Sequence, residues 1–89
     1  MITVEGIAHR VYDEIHRGEE KHGPFHSQHE AYVILLEEVD EYWREVKRQM
    51  RLPGRLREEL IQIAAVAIRA ACMDDDEDPE GPFLRGDRT

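Results

Sequence analysis

The chain is 89 residues long, 40% hydrophobic and 36% charged, with a formal net charge of −8. That length makes one small domain with a thin core, and the composition favours a helix-rich globule that completes its core by association. The charge argues against nucleic acid or an anionic membrane as partner through a broad basic face, and residues 74–89 alone contribute −5 of it.

The first helix is expected from about Thr3 to about Glu20. Thr3 is the N-cap candidate, and Val4, Ile7, Val11 and Ile15 recur at three- and four-residue spacing as one apolar stripe. Gly18 and then KHGPF mark its end. The opening MITVEGIAHR has no basic region followed by an apolar one, which argues against a signal peptide. His16, His22, His26 and His29 bracket the loop that follows. Zinc ligation by His22, His26 and His29 is one reading of that spacing. There are no cysteines beside them and no clear scaffold, and His26 and His29, flanking the Ser27 cap, are more simply loop and first-turn residues. A contact from His22 or His29 to a nucleotide is the remaining alternative.

The second helix opens at SQHE, where Ser27 as N-cap and Glu30 three residues on form a capping box. It is expected to run to about Met50, with Tyr32, Leu36, Val39, Trp43, Val46 and Met50 on one side, until RLPG breaks it. Trp43, spaced with Val39 and Val46, is expected in the core; stacking of Tyr42 and Trp43 on a base is the competing reading. At about 100° per residue, Glu37, Glu38, Glu41 and Glu45 fall roughly opposite the apolar stripe and meet at i,i+3 and i,i+4. Carboxylates this close repel one another. A helix carries them where water, Lys/Arg partners or a cation neutralise them, and a solvated face relieved by Arg44, Lys47 and Arg48 is the plainest case.

The third helix, about Arg55 to Met73, is apolar nearly all round, which marks a helix surrounded by others and calls for a second subunit to cover it. It is too short for a membrane span and carries Gln62 and Arg69. Cys72 is the lone cysteine, so no intramolecular disulfide forms, and a reducing, cytoplasmic compartment is expected. With no base beside it in sequence, its thiol is expected to be inert. Residues 74–89 combine charge, Gly and Pro without periodicity and read as a mobile acidic tail. Their opening acidic run is a solvated helix end in preference to a cation site. The expected organisation is therefore a single all-α domain over residues 1–73, a helical hairpin or bundle of three main helices completed by oligomerisation.

Glu59 and Gln62 are i,i+3 neighbours on the third helix, and a polar group on a buried helix must find a partner. An antiparallel hairpin around RLPG lets Glu38 and Glu41 face Glu59 and Gln62. Four oxygen-bearing side chains between two helices suit Mg²⁺ or Mn²⁺ better than zinc. The segment Glu37-Glu38-Val39-Asp40-Glu41 follows the pattern EExxE, and Glu59-Leu60-Ile61-Gln62 stands where ExxD would follow. Over roughly Lys21 to Cys72 the chain resembles the MazG-like branch of the all-α nucleoside triphosphate pyrophosphatase superfamily. The resemblance implies Mg²⁺ on Glu38, Glu41 and Glu59, with Glu37 a further ligand or the base that orients the attacking water. The implied reaction is hydrolysis of a nucleoside triphosphate to the monophosphate and pyrophosphate, in a homodimer or homotetramer. Lys21, Arg51, Arg55 and Arg57 are candidate phosphate-facing cations, with ordinary surface bases as the competing reading. Gln62 departs from the family's Asp: its amide still offers an oxygen but brings no negative charge and accepts no proton. A degenerate helical association module without turnover is the second expectation. No Gly-rich phosphate loop is present, which excludes a P-loop mechanism.

Overall fold

The computed structural model describes residues 1–73. Three helices account for the fold: α1 (Val4–His22), α2 (Gln28–Lys47) and α3 (Arg55–Ala71). No strand occurs among the described residues, and none of their helices is long and apolar enough to cross a membrane. The expectations placed on residues 74–89 lie outside the described residues.

Each helix begins where the capping chemistry directs. The Thr3 hydroxyl accepts from the Gly6 N–H at 3.0 Å, and the Ser27 hydroxyl accepts from the Glu30 N–H at 3.0 Å. Glu30 reaches one residue further back than a capping box requires, and its carboxylate takes the His26 N–H. The ends differ from expectation for equally local reasons. α1 runs through Gly18 to His22, because Gly23 at φ 75° can turn the chain while its N–H returns to the Glu19 carbonyl at 2.8 Å. α2 stops at Lys47, short of Met50. Arg48 is already extended, its N–H closing on the Glu45 carbonyl at 3.2 Å, and the Arg51 guanidinium donates to the same carbonyl at 3.1 Å.

α3 is the central element, packed on one side by α1 and on the other by α2, while α1 and α2 make no close backbone approach to each other. The α1–α3 contact is the dry core: Val11, Ile61 and Ala65 are buried, with Ile7, Ile15 and Ala64 packed around them. α2 and α3 run antiparallel. The Gln28 side chain at the start of α2 donates to the Ala70 carbonyl near the end of α3, and Arg55 at the start of α3 reaches Glu45 near the end of α2.

α2 presents a different face to α3 than its apolar stripe suggests. The inward side carries Ala31, Ile34, Leu35, Glu38, Tyr42 and Glu45, with Ala31 and Glu45 buried and the other four half-buried. The stripe Tyr32, Leu36, Val39, Trp43 and Val46 lies about a third of a turn round the helix and is exposed, and Met50, expected to continue it, is exposed beyond the helix end. Trp43, expected in the core, is 54% exposed, with the Lys47 ammonium 5.4 Å from its ring centroid. The correction has a simple cause. α3 has one apolar face for α1, and toward α2 it offers Glu59 and Gln62 beside Val66. The α2 side that packs there is the one able to meet polar partners.

Candidate metal centre

The α2–α3 contact brings Glu38, Glu41 and Glu59 together. One carboxylate oxygen from each lies within 4.8 Å of the others. Glu38 and Glu41 are one turn apart on α2, and the antiparallel crossing sets Glu59 of α3 opposite them. Glu38 and Glu59 are half-buried, whereas Glu41 is exposed, so the cluster opens to solvent on the Glu41 side. Burial, reinforced by the charges of Glu41, Glu59, Glu37 and Glu14, pushes the Glu38 carboxyl above its usual range. Burial and the Glu41 charge raise Glu59 as well, and the Arg55 guanidinium opposes that rise. Arg55 Nη2 stands 3.3 Å from Glu59 Oε2.

The donor set fits a hard divalent cation. The three oxygens, within 4.8 Å of one another, are near enough for side-chain rotation to bring them onto one ion. Three carboxylate oxygens without nitrogen or sulfur favour Mg²⁺ or Mn²⁺ over zinc. Gln62, one turn beyond Glu59, is half-buried and shares with Glu38 the lining of an adjoining cleft of about 510 Å³. That cleft runs between α1 and α2 over α3, and Lys21, Phe25 and Arg69 also line it. Arg69 fastens the loop over it: its guanidinium carbon lies 4.0 Å from the Phe25 ring centroid, and Nη2 donates to the Gly23 carbonyl at 2.9 Å.

The other residues singled out by sequence fall in several places. Glu37 is exposed, beside Glu38 but outside the group of three. Lys21 is on the cleft with Glu38 and Gln62. Arg51 is engaged with the carbonyls that end α2, and Arg55 lies at the edge of the acidic cluster. Arg57 lies on a different side of α3, along an apolar groove with Ile7 and Val11 of α1. His22 and His26 line the cleft, and among the described residues no histidine joins a metal-ligating group. His16 packs edge-on against Tyr12.

Sequence reasoning missed Glu45 as a buried group. Among the described residues it is the buried charged side chain, 6% exposed, with Oε1 3.4 Å from Arg48 Nε and Oε2 4.0 Å from Arg55 Nε. A signal existed: Ala31, Leu35, Glu38, Tyr42 and Glu45 repeat at spacings of four and three, the spacing of a packed helix face. Comparison of the chain with protein-family models, with curated proteins and with solved structures gives no match.

Proposed function

We propose that this chain is a MazG-like all-α nucleoside triphosphate pyrophosphatase, cleaving a nucleoside triphosphate to the monophosphate and pyrophosphate. The observation that carries the reading is the convergence of Glu38, Glu41 and Glu59 from two antiparallel helices, with Glu38 also lining a cleft of about 510 Å³. Those three carboxylates would hold Mg²⁺ or Mn²⁺, with the Gln62 amide oxygen as a further donor. The cation would offset phosphate charge and lower the barrier to water attack at the α-phosphorus. Glu37, exposed beside Glu38, is the side chain to orient and deprotonate that water. Lys21 on the cleft and Arg55 beside Glu59 at the edge of the acidic cluster are the cations to meet phosphate oxygens.

The proposed assembly is a homodimer, or a homotetramer built from it. The exposed stripe of α2 recurs at spacings of four and three through Tyr32, Leu36, Val39, Trp43 and Val46, the repeat that seats one helix against another. Leu60 and Ile68 of α3 are exposed as well. A cytoplasmic site of action accords with the single, unpaired cysteine.

The test is pyrophosphate release from the common and modified nucleoside triphosphates with Mg²⁺ or Mn²⁺, with Glu38→Gln and Glu59→Gln as controls. Release that either control abolishes supports the reading. The second reading, an association module without turnover, rests on Gln62, whose neutral amide leaves the site one negative charge poorer. Metal binding without release for any substrate selects it, and Gln62→Asp or Gln62→Glu should then strengthen metal binding. Absence of metal binding at wild-type carboxylates defeats both forms of the metal site.

A further inference from the structure

We propose that Glu45 is a positioning residue for the phosphate end of this site and acts through Arg55. The proposal rests on the metal-site reading above and adds to it a residue outside the EExxE pattern. Glu45 lies one turn beyond Glu41 on α2 and is 6% exposed. Burying a carboxylate is unfavourable unless charge and hydrogen bonds compensate it, and an apolar side chain of similar size would fill the same space at lower cost. Its compensation here is loose. The two guanidinium contacts, 3.4 Å to Arg48 and 4.0 Å to Arg55, are longer than the roughly 2.7–2.9 Å of a charge-assisted hydrogen bond. The arrangement holds two cations near a point without closing tightly on either.

Arg55 is the cation of interest because its guanidinium spans two carboxylates. Nε faces buried Glu45, and Nη2 faces Glu59, a member of the acidic trio. A divalent cation on Glu59 competes with Arg55 for Glu59 but not for Glu45. When the metal arrives, Arg55 gives up Glu59 and stays tethered from behind by Glu45. Its freed N–H groups are then held at the rim, where an anion on the metal meets them. Without Glu45 the Arg55 side chain, 47% exposed, loses that tether and must be ordered by each incoming anion. Arg55 is thus the counter-charge of the metal-free site and the anion contact of the loaded one, and Glu45 keeps it in place for both.

The experiment measures Mn²⁺ affinity alone, then affinity of the Mn²⁺-loaded protein for inorganic pyrophosphate, in the full chain and in Glu45→Gln, Arg55→Gln and the double variant. In Arg55→Gln, Mn²⁺ should bind several-fold more tightly while pyrophosphate binds about tenfold more weakly, opposite signs that loss of a structural ion pair does not produce. Glu45→Gln should weaken pyrophosphate binding by a similar factor, and the double variant no further than either single one, because both act through one group. If Arg55→Gln binds pyrophosphate like wild type, or the two losses multiply, the proposal is overturned. The half-exposed Arg55 position keeps the test open should Glu45→Gln fail to fold. Failure of wild type to bind Mn²⁺ instead removes the metal-site reading, and this proposal with it.

Discussion

α3 meets two neighbours of opposite chemistry. Toward α1 it presents Ile61 and Ala65 to Val11, a contact of hydrocarbon alone at its centre. Toward α2 it presents Glu59 and Gln62 to Glu38, Glu41 and Glu45, with Ala31 and Val66 as the apolar complement. The first contact stabilises the fold through burial, at about 25 cal/mol per Å² of apolar surface. The carboxylates of the second work against it in the metal-free chain, since burial and mutual repulsion raise Glu38 and Glu59. Stability and candidate chemistry therefore sit on different sides of one helix, and each can be perturbed without removing the other.

The largest effect should come from the dry side. Ile61, 2% exposed, loses its packing in Ile61→Ala, and unfolding free energy in urea should drop by about 2–5 kcal/mol. A loss under about 1 kcal/mol would mean that α1 does not anchor α3. The outward stripe of α2 comes next. In the proposed dimer, Trp43→Glu should weaken association by on the order of 2 kcal/mol, about thirtyfold, with helix content unchanged. Sedimentation of both proteins checks it; a wild-type monomer at micromolar concentration removes the dimer. Third is the turn that sets the α2–α3 crossing. Gly54 sits at φ 85°, so Gly54→Ala should cost about 1 kcal/mol, read by thermal melting.

The smallest effect distinguishes the two contacts most directly. Glu38→Gln removes a repelled carboxylate and should stabilise the metal-free protein at neutral pH by a few tenths of a kcal/mol. It should also abolish any rise in melting temperature caused by Mg²⁺ or Mn²⁺. The pH dependence follows from the same shifts. Glu38 and Glu59 have folded pKa values above the ordinary 4.5, so between that value and their own the native state holds more protons than the unfolded one. Their stabilising contribution is complete below about 4.5 and is lost as pH rises through the folded values. Melting curves of wild type minus Glu38→Gln should show that decline, and an increase with pH would contradict the repelled cluster.

Much of this was legible in the residues. The three helices, the Thr3 and Ser27 caps, the antiparallel hairpin and the grouping of Glu38 and Glu41 with Glu59 all follow from spacing and turn chemistry, interactions set within a few residues or across one tight connection. Helix ends were less legible, because Gly23 and the Arg51 side chain act on carbonyls a turn or more away. Apolar periodicity marked the α1 stripe that packs on α3, but it put the Trp43 stripe of α2 in the core, and it carries no label for the partner. Only the tertiary structure decided that the Trp43 stripe turns to solvent in the single chain while Glu38 and Glu45 turn inward. The physical reason lies on α3. Its dry face is taken by α1 and its other face carries Glu59 and Gln62, so which side of α2 turns inward depends on both helices at once, which no single segment of sequence contains.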